Sequence, residues 1–415
     1  MLTIIGAVFI AWLILVLFFA PHIPYHTEEP VDVASDYFVR LIEASCQTTF
    51  VGGNTIEILT NGPEFYPAML DAIRGARETV NMEVYMFRRG KAADRFIDAL
   101  AGRARAGVRV TVVVDAIGSL GQFQHVVRPL REAGCRVERY QHMTWYRLAR
   151  LNNRTHRELL IVDGEVAFVG GAGIADWWIE PKKDEPIWRD MAARIEGPIV
   201  AYIQGIAAEN WLECRGEILT GPDTYKALTP KGSSGAFAVK SSPADRATVS
   251  RVLFQTLIEG ARHRVRLGTP YFLPDRAFRQ ALMRAVGRGV EMTIVVPGRY
   301  TDQHLVRLAS RRSYGRLLQA GVRIFEYQPG MTHLKACVVD DLWSVIGSTN
   351  FDNRSFQHND EVNVAIRDEG LAARITRDLE ADMTKSVEIT LARWRRRPMW
   401  EKLAGSVAWI LERQQ

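Results

Sequence analysis

Three blocks of this chain occur twice, in the same order, and that internal repeat limits the possible folds more than any other feature. AIRGARETVNMEVYMF, around Gly75 and Ala76, is answered by LIEGARHRVRLGTPYFLP, around Gly260 and Ala261. FIDALAGRARAGVRVTVVVD is answered by FRQALMRAVGRGVEMTIVVPG. LREAGCRVERY, leading to His156, is answered by LLQAGVRIFEY, leading to His333. The spacing between copies changes little from block to block, so insertions are confined to loops. Within each block a helical run, apolar at three and four spacing, ends at a glycine and gives way to a β-branched run such as VRVTVVVD. That alternation predicts βα units carrying a largely parallel sheet, an α/β fold. Two such sheets in one chain predict a fusion about a pseudo-twofold axis, with loops at the carboxyl ends of the strands meeting at the interface, where ligands bind in open α/β sheets.

The length of 415 residues suits two or three domains, and 47% hydrophobic with 24% charged residues argues for a folded chain. The boundaries expected are a first repeat over residues 50–218, a Gly/Pro/Ser/Thr-rich linker over 219–243, a second repeat over 244–385 and a basic amphipathic tail over 386–415. The tail, ARWRRRPMWEKLAGSVAWILERQQ, sets an arginine cluster before an apolar stripe of Trp400, Leu403, Val407, Ile410 and Leu411. This suits either an anionic membrane surface or docking on its own domain. The opening twenty residues, MLTIIGAVFIAWLILVLFFA, carry no charge and are long enough for a bilayer-crossing helix, so residues 1–24 are expected to form an uncleaved membrane anchor. Its orientation is not legible, because the first Lys or Arg is Arg40. The formal net charge of +6 favours anionic partners. Cys46, Cys135, Cys214 and Cys337 are far apart and make neither a disulfide framework nor a thiolate metal site.

The second half holds HLKACVVDDLWSVIGSTNFDNRSFQHNDE, with His333, Lys335, Asp340, Ser348, Asn350 and Glu361. This resembles the H-x-K-x-x-x-x-D signature of the phospholipase D superfamily followed by G-S-x-N, and its continuation N-x-D-x-R-S-x-x-x-N-x-E is similar to that of bacterial cardiolipin synthases. On a strand, residues two apart share a face, so His333 and Lys335 can meet one phosphate. Imidazole supplies a nucleophile, the ammonium a point charge, and Ser348 and Asn350 neutral donors. Asp340, at the strand end, reads as a turn residue.

In the first half the resemblance is damaged. THRELLIVDGEVAFVGGAGIADWW keeps His156 and Asp163, but Glu158 stands where the family has lysine and Gly173 where it has asparagine. IWRDMAARIEGPIV adds Arg189 and Asp190. Asp190, following His156, and Glu361, following His333, are the candidate imidazole-orienting carboxylates. The Glu158 carboxylate should face the cleft and be neutralised by Lys335, Arg154 or Arg189. Basic and aromatic stretches, MTWYRLARLNNR before His156 and GRYTDQHLVRLASRRSYGR in the second half, are expected as loops at the entrance.

The resemblance implies two phospholipase D-like α/β sandwich halves. It also implies a phosphatidyltransferase that forms a phosphohistidine on one histidine, with His156 favoured, while the other histidine protonates the leaving alcohol. Phosphatidylglycerol or a related glycerophospholipid is the implied substrate. No cofactor or metal, no nucleic acid and no obligate protein partner are expected, and the location would be the inner (cytoplasmic) membrane. A hydrolase or nuclease of the same superfamily remains an alternative, as does a catalytically impaired membrane scaffold, given Glu158 and Gly173.

Overall fold

The computed structural model describes residues 25–141, 153–181, 185–243 and 249–412, together with Gly6. The anchor expected over 1–24 lies outside the described residues, as does most of the basic stretch before His156. Among the described residues no helix is long and apolar enough to cross a membrane.

The strands, in chain order, are β1 (Val51–Thr60), β2 (Thr79–Val84), β3 (Arg109–Asp115), β4 (Arg136–Tyr140), β5 (Arg154–Thr155), β6 (Glu158–Val162), β7 (Val166–Gly170), β8 (Met191–Glu196) and β9 (Ser234–Ser241). They continue with β10 (Arg264–Gly268), β11 (Phe272–Leu273), β12 (Glu291–Pro297), β13 (Arg323–Tyr327), β14 (Ala336–Val339), β15 (Trp343–Gly347), β16 (Phe351–Asp352), β17 (Asn359–Arg367) and β18 (Ser386–Glu388). Sixteen of them form one sheet in the order β18-β13-β12-β10-β14-β15-β17-β9-β1-β8-β7-β6-β2-β3-β4, with β5 beside β17. Read inward from either end, equivalent strands follow in the same order and meet at a seam where β9 lies antiparallel to β1.

The sheet is mixed, not largely parallel. β2-β3-β4 and β10-β12-β13 run parallel, as does the short β5 beside β17; the other neighbours on the seam side are antiparallel. The reason was visible in V-D-G-E: Asp163 and Gly164 both adopt positive φ, 52° and 62°, which makes a tight hairpin turn between β6 and β7. Asp340 and Asp341, both at 53°, do the same between β14 and β15.

Two boundaries move. Residues 234–241, expected as linker, are strand β9, the counterpart of β1, so the second repeat begins there. β18 adds a strand to the sheet edge beyond residue 385 and pairs with β13. The stretch from Gly298 to Arg316, expected as loop, is mostly the helix His304–Ala320.

Each half buries a core on its outer face. That of the second half includes Val33 together with Phe38 and Ile42 from the helix Asp36–Cys46, whose Ser35 cap accepts from the Phe38 N–H. A third core crosses the seam: Ile58, Leu159, Ile161 and Ile195 pack with Ala236, Val338, Val362, Val364 and Leu379. The halves therefore share buried apolar surface and hold the loops between them in fixed register.

Candidate active site

Each histidine is delivered by its own half but tied to the other. His156 follows β5, which pairs parallel with the start of β17, and the His156 N–H donates to the Asp360 carbonyl at 2.9 Å. His333 mirrors this: Arg189 bridges Thr332, and the His333 N–H donates to the Arg189 carbonyl at 2.7 Å. The next residue of each partner strand carries the carboxylate. His156 Nδ1 is 3.1 Å from Glu361 Oε2, and His333 Nδ1 is 2.9 Å from Asp190 Oδ2. Sequence spacing had associated each carboxylate with the histidine before it; the structure exchanges them, because β5 and the segment before His333 cross the seam.

Both carboxylates are fixed in turn. Asp190 accepts from Trp178 Nε1 at 3.1 Å and from the Met191 N–H at 2.9 Å; Glu361 accepts from Ser348 Oγ and from Asn359 Nδ2 at 3.1 Å. With Nδ1 of both rings engaged, Nε2 is the nitrogen left for chemistry. The His333 ring sits against Trp178 and Trp188, with ring centroids 5.5 Å away in each case, and Tyr85 meets His156 edge-on at 5.2 Å.

The two histidines face one cleft of about 750 Å³, also lined by Tyr85, Glu158, Trp178 and Asn350. Lys335 is buried; its Nζ donates to the His333 carbonyl at 2.7 Å and lies 3.2 Å from His333 Nε2. Burial pulls the Lys335 ammonium down to about 8. Burial and the charge of Lys335 lower the basicity of His333, against the pull of Asp190. Asn350, 3% exposed, leaves its Oδ1 without a partner in the cleft wall, an arrangement that a bound ligand would satisfy.

Glu158 faces the cleft and is buried, but the cation contact expected of it is absent among the described residues. Oε1 accepts from the Tyr85 N–H at 3.2 Å. Arg189 is instead held by Asp382 at 2.9 Å and by the Asp190 carbonyl, and Arg154 Nη1 lies 3.6 Å from Asp115. Burial pushes the Glu158 carboxyl well above the ordinary carboxylate range, opposed by the Tyr85 N–H and Lys335.

Three further expectations change. The Ser348 hydroxyl is committed to Glu361, not open to a ligand. Asp163 accepts from the N–H groups of Arg77, Glu78 and Thr79, and Asp340 from those of Arg262, His263 and Arg264, each at 2.8–3.1 Å. These two aspartates clamp hairpin turns to the neighbouring strand and touch neither histidine. Sequence reasoning missed Trp178, Tyr85 and Asn61, which accepts from the Asp190 N–H at 3.1 Å. The D-W-W following the first motif was the signal available for Trp178.

Residues 69–188 and 254–383 match the family described as cardiolipin synthase, PLD-like domain. The chain belongs to this family. It is 34% identical over 364 residues to cardiolipin synthase A of Pseudomonas fluorescens, covering 87% of this chain and 75% of that one. It is 30% identical over 356 residues to a probable cardiolipin synthase of Bacillus subtilis, covering 86% and 71%. The fold is shared with phosphatidylserine synthase of Haemophilus influenzae, with a TM-score of 0.70 at 13% identity, over 91% of this chain and 100% of that one. This protein is a phosphatidyltransferase of the phospholipase D superfamily.

Proposed function

We propose that the protein moves a phosphatidyl group from phosphatidylglycerol to the hydroxyl of a second glycerophospholipid, giving a cardiolipin-type product. The observation that carries this reading is the crossed pair of histidine–carboxylate dyads facing one cleft. The Nε2 of one imidazole attacks phosphorus; the bond from phosphorus to the glycerol oxygen breaks, and the other imidazole gives that oxygen its proton. The same imidazole then takes the proton of the acceptor hydroxyl, whose oxygen displaces the first histidine. Lys335 and the Asn350 amide hold the phosphoryl oxygens, so phosphate binding falls to the second half.

The family resemblance favours His156 as nucleophile. The lowered basicity of His333 favours the reverse, since a neutral imidazole is the attacking form. Rapid quenching in denaturing detergent at mildly alkaline pH, where a histidine phosphoramidate survives, decides: the labelled phosphatidyl group should be recovered on the peptide holding one histidine or the other. The uncharged run over residues 1–20 supports reading residues 1–24 as a membrane anchor.

The test is incubation of detergent-purified protein with labelled phosphatidylglycerol and mass analysis of the lipids. The expected result is a cardiolipin-type product that is lost in His333→Ala and unaffected by chelator. Release of phosphatidic acid alone would make the protein a hydrolase instead.

A further inference from the structure

Over residues 399–408 the helix Met399–Glu412 has one covered face and one exposed face. Glu401 pairs with Arg311 at 3.2 Å, Gly405 packs on Leu308, where an added Cβ would lie 2.9 Å from the backbone oxygen, and Ala408 is buried, so this face is docked on the helix His304–Ala320. At about 100° per residue, Met399, Trp400, Leu403 and Val407 fall on the opposite face. They are 67%, 64%, 64% and 59% exposed. Four large apolar side chains in one stripe differ from the scattered exposure usual on a soluble surface. The neighbouring elements carry exposed arginines: Arg393, Arg395 and Arg396 in the preceding segment, Arg312 and Arg316 on the supporting helix. The supporting helix also lines the active-site cleft, through Val306 and Ser313. Stripe and cleft therefore lie on the outer sides of two stacked helices, roughly 20 Å apart at about 10 Å per helix.

We propose that this face seats on an anionic phospholipid bilayer, apolar stripe into the acyl boundary and arginines at the phosphates, so that the protein is held at the surface that carries its lipid substrate. Apolar area alone would suit many partners; the neighbouring arginines select a negatively charged, laterally extended one. The surface is separate from the anchor expected over 1–24, and its use in turnover rests on the function proposed above.

The test uses the full chain with a polarity-sensitive dye on Leu403→Cys and Cys214, the half-buried thiol, changed to serine. In vesicles of phosphatidylcholine with phosphatidylglycerol the dye emission should shift to the blue and be quenched by bilayer-embedded quenchers. In phosphatidylcholine alone it should stay water-like. A water-like dye in the anionic vesicles, or a shift that depends on protein concentration without lipid and so marks a second copy of the chain, overturns the proposal. A second arm replaces the stripe (Met399→Gln, Trp400→Gln, Leu403→Gln, Val407→Ser). Turnover of vesicle-borne phosphatidylglycerol should fall roughly tenfold or more, with turnover of a dispersed short-chain analogue retained. Equal loss on both substrates, or none, overturns the docking role. Dye insertion without any lipid turnover would instead sink the proposed function and leave the docking intact.

Discussion

Glu158 Oε1 occupies the space that a side chain at Gly173 would enter: a Cβ there would lie 3.1 Å from it, and 2.6 Å from the Met86 carbonyl oxygen. The two first-half departures from the family motif are thus one change, a carboxyl group filling room that the missing asparagine leaves. Gly171 makes a matching concession, since a Cβ on it would lie 2.6 Å from Lys335 Cδ and 3.0 Å from Nζ. Gly173→Ala should therefore cost roughly 1–3 kcal/mol of stability, because the Met86 carbonyl is backbone and cannot step aside. Thermal unfolding checks it, and the cost should persist in a Glu158→Ala background. If removing Glu158 relieved it fully, the carboxyl alone would be the obstacle.

Glu158→Gln addresses the proton. The folded protein holds a proton on Glu158 that the unfolded chain releases near the ordinary value of 4.5. Because the native state binds more protons, stability falls as pH rises from there toward the raised folded value. Glutamine carries no such proton, so the unfolding midpoint of the variant should gain on wild type steadily between about pH 5 and pH 8. A constant difference would mean that the carboxyl is ionised in the fold. Glu158→Lys, which restores the family residue, should lower turnover about tenfold or more, because its ammonium would face the Tyr85 N–H and Lys335 in a buried wall.

Lys335 sets the alkaline limit. Its buried ammonium loses its proton near pH 8 in the free protein, and with it the charge that draws the substrate phosphodiester. kcat/KM should decline above that pH, whereas kcat should hold to a higher pH, since bound phosphate favours the charged form. Parallel profiles for the two constants would argue that Lys335 does not bind the phosphate.

The repeat, the two histidines and the pairing of halves were legible because they rest on local patterns: β-branched runs, glycine stops and a motif of fixed spacing. What could not be read depends on which strands meet. β9 looked like linker because Lys231, Gly232 and Ser233 precede it and Ser234 and Gly235 open it, yet its Phe237 and Val239 face one core and its Ala236 and Ala238 another. Asp163 and Asp340 sit inside the catalytic motif, and only the sheet shows that their carboxylates reach backbone N–H groups of the preceding turn. Their replacement by alanine should lower stability by roughly 1–3 kcal/mol, because each removes a cluster of hydrogen bonds from backbone N–H groups to a charged carboxylate, with kcat per folded molecule unchanged. A loss of kcat matching that of His333→Ala would return them to the chemistry.

The exchange of carboxylates across the seam has the sharpest consequence. Glu361 lies in the second half but orients the first-half His156, held there by the Ser348 hydroxyl and Asn359; Asp190 orients His333, held by Trp178. Each carboxylate fixes the orientation and tautomer of its own imidazole. Glu361→Gln should therefore free the orientation and tautomer of the His156 ring and leave the His333 ring almost as it was, and Asp190→Asn should do the reverse. Nitrogen NMR of labelled imidazoles reads the two separately, and each change should cost roughly two or more orders of magnitude in kcat. Were spacing along the chain the rule, Asp190→Asn would move His156 instead. Because both dyads span the seam, a substitution that loosens the shared core, such as Val364→Ala, should disturb both imidazoles together at a stability cost of about 1–3 kcal/mol, whereas one confined to an outer core, such as Ile97→Ala, should disturb neither.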